Sequence, residues 1–161
     1  MSESRFDRTA DRYAAAAREK DWSGFVEWCR PLPGQRALDV GAGPALLSAA
    51  LAGLGVEAVA LDPSQALLAH APAGVRAVVG DAESMPFDDG TFDLVTIVNS
   101  LHHVADLPRT LAESVRVLVG GGTIVVQDYL ADDDRGRADR WEQFELLRQV
   151  ELSEQSAQTA A

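Results

Sequence analysis

The sequence predicts an α/β fold, an open three-layer sandwich with a mainly parallel sheet of about five strands, on three observations. Apolar runs of strand length recur along the chain. Helical stretches separate them, long enough to cross from one parallel strand to the next. The runs themselves, ALDV, AVAL, AVV, LVTIV and TIVV, are almost continuously apolar, as strands buried on both faces must be.

The first thirty residues read as helix. Ala14 to Ala17 have high helical propensity, and Trp22, Phe25, Val26 and Cys29 recur at three- and four-residue spacing until Pro31-Leu32-Pro33-Gly34 stops the pattern. Strands are then expected at Arg36 to Val40, Val56 to Leu61, Val75 to Val79, Phe92 to Val98 and Thr123 to Gln127. Helices are expected at Ala45 to Ala52, Ser64 to His70 and Leu107 to Leu118. Near the end, Trp141, Phe144, Leu147 and Val150 repeat at helical spacing before a small, polar tail.

At 161 residues the chain is sized for one domain. The expected organisation is an N-terminal helical cap over about 1–30, a core over about 35–130, and a C-terminal helix and tail over about 135–161. Fourteen basic against twenty-five acidic residues give a net charge of -11, a field that repels nucleic-acid backbones and anionic membrane surfaces. Cys29 is the only cysteine, so an intrachain disulfide and a cysteine zinc cluster are excluded. No apolar stretch exceeds strand length and the N-terminus is charged, so a soluble, cytoplasmic protein is expected.

Ligands of open α/β sheets bind beyond the carboxyl ends of the strands. After the first strand the chain reads Asp39-Val40-Gly41-Ala42-Gly43-Pro44-Ala45, a tight glycine turn running into a helix. After the second comes Asp62, twenty-one positions beyond Gly41, a spacing that lets a carboxylate accept hydrogen bonds from a ribose diol. The turn alone suits a dinucleotide or another nucleoside equally. Against NAD, Leu46 is too large for the last small position of the dinucleotide fingerprint. An NAD-dependent oxidoreductase also finds no Tyr-x-x-x-Lys pair, since Lys20 is the only lysine.

The third strand ends in Gly80-Asp81-Ala82 and leads into ESMPFDDGTFDLV. Together with LDVGAG, ALDPS, NSLHHV and RVLVGGGTIVVQDY, in that order from about Phe6 to Tyr129, the chain resembles the class I S-adenosylmethionine-dependent methyltransferases, in their ubiquinone and menaquinone biosynthesis-like branch. The resemblance implies a Rossmann-like sheet of order 3-2-1-4-5 and S-adenosylmethionine as cofactor. It implies the methionine part over Asp39, Gly41 and Gly43, the ribose on Asp62 beside Pro63, and adenine at Asp81 and the Ala82 amide. Asn99 would line the reaction side, and Tyr13 lies on the helix that closes over the cofactor. The implied activity is methyl transfer to a small, apolar or aromatic acceptor; the alternative is a non-catalytic cofactor-binding protein or assembly subunit.

Where an acceptor must lose a proton, the resemblance leaves His103 as the candidate base, ahead of His102; Asp128 and Tyr129 also stand at the active end. No metal is expected, for want of a ligand cluster around the histidines. The chain departs from the family pattern at Pro44, Ala45, Pro63 and Gly120, and Ala45 is expected to narrow the cofactor channel. It also ends too soon for the family's final antiparallel strand pair. The fifth strand is therefore expected to be an edge, covered by the Trp141 to Val150 helix or by a second chain in a homodimer.

Overall fold

The computed structural model describes residues 7–129 and 143–149, the last of these as backbone. The N-terminal helical region is two helices, α1 (Ala10–Ala17) and α2 (Ser23–Cys29), preceded by a 3-10 turn at Asp7–Thr9. The break between them is held by Asp21, whose carboxylate accepts the Ser23 amide at 2.9 Å. Arg30 then takes a left-handed conformation (φ 47°) that turns the chain away before the prolines.

Strands β1 (Arg36–Val40), β2 (Glu57–Asp62), β3 (Arg76–Val79) and β4 (Phe92–Val98) pair in parallel with β5 (Leu118–Tyr129) in the order β3-β2-β1-β4-β5. Helices α3 (Leu46–Ala52), α4 (Gln65–Leu68) and α5 (Leu107–Arg116) lie in the connections. Ser64 caps α4 by accepting the Leu67 amide at 3.1 Å, and Asp106 caps α5 by accepting the Arg109 amide at 3.0 Å. The expected strand order is thus found, and β1 and β4 have the expected ends.

The C-terminal region corrects the expectation. Gln143–Gln149 form a sixth strand, β6, antiparallel to β5, where helical spacing predicted a helix. Its register sets Phe144 opposite Asp128 and Leu146 opposite Val126. The edge of β5 is therefore covered by a strand of the same chain, neither by a helix nor by a second protomer. Trp141 and Val150, the other ends of the predicted helix, lie outside the described residues.

Alternate residues of the central strands feed two cores, as the two-residue period of a strand requires. On one face Leu38, Val40, Val59, Leu61, Val95 and Ile97 pack with Phe92, Val117 and the buried Met85. On the other, Ala37, Ala58, Leu94 and Val125 meet Val26 and Cys29 of α2 and Leu47 and Leu51 of α3. Arg116 at the end of α5 fastens the β3 to β4 loop by donating to the carbonyls of Met85 and Phe87. This clamp holds the loop where it returns to the start of β4, beside the start of β5.

Candidate functional site

Two cavities open at the carboxyl ends of the strands, of about 440 and about 320 Å³. Tyr13, Gly41 and Asn99 line both, so the two meet across the β1 and β4 ends. The larger is walled by Asp39, Ala42, Pro44, Lys20, Trp22 and Asp128, among others. The smaller is walled by Gly43, Asp62, Pro63, Asp81, Ala82 and His103, among others. Every residue singled out in the sequence for cofactor contact thus lines at least one of them, as do His103 and Asp128, whereas His102 lines neither.

The glycine turn is held to β2: the amides of Gly41 and Ala42 both donate to the Leu61 carbonyl, at 2.8 and 3.0 Å. Gly41 sits at φ +70°, and a Cβ there would stand 2.4 Å from Cβ of Ser100. Its smallness is required first by the chain leaving β4. Ala45 carries φ 58°, a left-handed conformation that favours glycine, at a strain of about 1 to 2 kcal/mol. Its methyl group is fully buried with Ala60 and Leu68, and it lines neither cavity. The expected narrowing of the channel by Ala45 is therefore not found.

Asp39 is only 3% exposed. Ser48 Oγ donates to its Oδ2 at 2.8 Å and Thr96 Oγ1 to its Oδ1 at 3.2 Å. Burial pushes the Asp39 carboxyl up to about 6; hydrogen bonds from Ser48 and Thr96 oppose this and the charge of Asp62 adds to it. A carboxylate kept in such a place is primed for a cation that restores its lost solvation. Asp62, 7% exposed, accepts the Gly43 amide on Oδ2 and the Ser64 amide on Oδ1, both at 2.8 Å. It ties the glycine turn to the start of α4 while facing the smaller cavity.

Asp81 is exposed and accepts the Glu83 amide at 2.9 Å. Glu83 Oε1 in turn accepts the amides of Ala105 and Asp106, at 2.7 and 2.9 Å, drawing the loop after β4 over the smaller cavity. Asn99 takes φ 52°, and its side-chain Oδ1 is buried without a hydrogen-bond partner among the described residues. Strain and an unmet acceptor meet at the junction of the cavities, as at many ligand sites.

The structure separates the two histidines. His103 lines the smaller cavity, its ring 3.8 Å from that of His102. His102 is the one joined to a carboxylate: its Nδ1 lies 2.6 Å from Asp128 Oδ1, and its amide donates to Oδ2 at 3.2 Å. Asp128 lines the larger cavity. Sequence reasoning named these residues without pairing them; the signal was the β4–β5 register, which sets Val98 beside Gln127 and hence the two strand exits side by side. It missed Lys20 and Trp22 as cavity residues altogether.

The walls suit a ligand that is a polyol at one end and cationic at the other. No lysine or arginine among the described residues lines the smaller cavity to meet a pyrophosphate. Among the described residues no group of three histidine, cysteine or acidic side chains could hold a metal ion, and no helix is long and apolar enough to cross a membrane.

Comparison with known proteins points the same way. Demethylmenaquinone methyltransferase of Mycolicibacterium gilvum is 37% identical over 134 residues, covering 78% of this chain and 59% of that protein. The chain thus spans about three fifths of that relative's length. A chain in the complex between the Haloferax volcanii Trm112 methyltransferase activator and a methyltransferase superposes with a TM-score of 0.74 at 26% identity, over 80% of this chain and 62% of its own. A SAM-dependent methyltransferase from Thermotoga maritima gives 0.63 at 26% identity, over 76% and 59%. The methyltransferase domain family matches residues 38–126, from β1 to β5 and through the glycine turn, Asp62, Asp81 and Asn99. With its sheet order and more than half its length in agreement, this chain belongs to the methyltransferase domain family, in its class I, Rossmann-like form.

Proposed function

We propose that the protein binds S-adenosylmethionine across the two cavities and transfers its methyl group to a small aromatic acceptor of the quinol type. The observation that carries this reading is the meeting of the cavities at Gly41 and Asn99, with buried Asp39 on one side and Asp62 and Asp81 on the other. Asp62 accepts from the ribose hydroxyls, and Asp81 with the Ala82 amide reads the adenine edge. Asp39 faces the ammonium end, whose charge offsets the desolvation of its carboxylate. The fit of the residues is chemical: carboxylates where the cofactor offers hydroxyl, amine and ammonium donors. The activity for which the relatives are named, demethylmenaquinone methylation, supports a quinol acceptor.

The bound cofactor supplies an electrophilic methyl on a sulfonium, which a nucleophile displaces in line while the sulfur keeps the bonding electron pair. The chain supplies position and a proton acceptor. Holding the two reactants in attack geometry is worth roughly 7 to 11 kcal/mol. Asp128, facing the larger cavity, takes the acceptor's hydroxyl proton, and His102 orients and shares that proton through its 2.6 Å contact. This reading moves the base from His103, against the smaller cavity, to the Asp128 and His102 pair.

The test combines calorimetric binding of S-adenosylhomocysteine with turnover of S-adenosylmethionine on a panel of quinols. Asp128→Asn and His102→Phe should lower kcat by about 10²-fold or more while leaving S-adenosylhomocysteine affinity within about twofold. Wild-type turnover in both variants would remove the pair from the reaction. Binding without turnover on any acceptor would favour a cofactor-binding protein that does no chemistry.

A further inference from the structure

Lys20 follows α1, and its Nζ stands 4.1 Å from the centroid of the Trp22 ring at the wall of the larger cavity. It is the only lysine of the chain and, among the described residues, the only lysine or arginine lining either cavity. Its ammonium has no carboxylate partner and no hydrogen bond among the described residues. Partial burial lowers its pKa, and no neighbouring acid offsets that. Asp39 and Asp128 line the same cavity without engaging it. A three-donor cation resting on an indole face, in a largely apolar cavity whose other charged lining residues among those described are Asp39 and Asp128, has its hydrogen-bonding capacity unspent.

Resting on the reading above, we propose that Lys20 is the oxyanion receptor of the larger cavity, placing a carboxylate or ionised hydroxyl of the bound ligand beside the Trp22 ring. The oxyanion has two sources with the same chemistry: the carboxylate at the amino-acid end of the cofactor, or an ionised oxygen on the aromatic acceptor. In the first case Lys20 sets the depth of the cofactor. In the second it holds the acceptor oxygen in the ionised form that loss of its proton to Asp128 produces, and Trp22 supplies the ring face on which an aromatic anion stacks.

Calorimetry on the full chain separates these. In the cofactor arm, S-adenosylhomocysteine is compared with 5′-methylthioadenosine, which lacks the amino-acid end. In the acceptor arm, protein saturated with S-adenosylhomocysteine is titrated with 2-hydroxy-1,4-naphthoquinone, anionic at neutral pH, and with its uncharged 2-methoxy ether. Lys20→Met should weaken one charged ligand at least tenfold and its uncharged counterpart less than twofold, with Lys20→Arg restoring most of the loss. The arm that responds names the source. Selective loss in neither arm, or failure of the charged ligands to move the single lysine side-chain NMR signal of the wild type, overturns the proposal. If S-adenosylhomocysteine and 5′-methylthioadenosine both fail to bind the wild type, the methyltransferase reading fails first. If they bind and only the charge selectivity is missing, that reading stands and this one falls.

Discussion

Replacing Asp39 by asparagine separates what the carboxylate does for the ligand from what it does to the fold. Moving a buried carboxyl from 3.8 to about 6 corresponds to about 3 kcal/mol at about 1.36 kcal/mol per pKa unit. The sign follows from the protons bound. Between those two values the folded state keeps a proton that the unfolded chain has released, so stability is full below 3.8 and falls as pH rises to about 6. At neutral pH the ionised group carries the whole penalty. Asparagine has no charge to desolvate and retains an oxygen for Ser48 or Thr96, while its amide must donate to the other hydroxyl. Allowing about 1 kcal/mol for that rearranged hydrogen bond, Asp39→Asn should stabilise the ligand-free protein by about 1 to 2 kcal/mol at pH 7.5 and leave it no more stable than wild type at pH 4. Its affinity for S-adenosylhomocysteine should fall at least tenfold, because the ammonium end loses its counter-charge. Urea unfolding at the two pH values and calorimetry provide the readings. A variant less stable at both pH values with unchanged affinity would refute the reasoning, leaving Asp39 as an anchor for Ser48 and Thr96 alone.

Three further outcomes are expected. Asp62→Ala should weaken S-adenosylhomocysteine tenfold or more and also lower stability by about 1 to 3 kcal/mol, since the buried amides of Gly43 and Ser64 lose their acceptor; calorimetry and urea melts would read the two effects separately. Gly41→Ala should be destabilising even without ligand, because its Cβ would overlap Ser100; an unchanged melting temperature would place the turn elsewhere. Leu146→Pro together with Leu147→Pro removes from β6 the one of these two successive amides that faces β5 and should lower stability by about 1 to 3 kcal/mol, whereas a wild-type melt would mean that β6 adds nothing to the edge of β5.

The parallel sheet was legible because its strands are buried on both faces, so that Arg36–Val40 and Phe92–Val98 stand out as apolar runs with clear ends. Strand ends then lead to Asp39, Asp62, Asp81 and Asn99, since an open α/β sheet brings them to one side whatever its loops do. The last strand was not legible. Phe144 and Leu147 fit a helical spacing while Phe144 and Leu146 fit a strand, and a short run carries both; the exposed ladder of β5 decides, and that is a tertiary demand. The same limit hid the start of β5, where Gly120 to Gly122 precede the expected strand yet lie within it, across a register shift against β4. The His102 contact with Asp128 joins residues 26 apart, and the Lys20 contact with Trp22 gains its meaning only from the cavity beside it. Neither follows from local pattern.

The account rests on one cofactor lying across two cavities, and a crystal structure of the protein with S-adenosylhomocysteine tests that most directly. It predicts adenine at Asp81 and Ala82, both ribose hydroxyls on Asp62, and the homocysteine chain crossing Gly41 so that its ammonium meets Asp39 and its sulfur faces the larger cavity near Asp128. Adenine found in the larger cavity, or a ligand making no contact with Asp39 and Asp62, would contradict it.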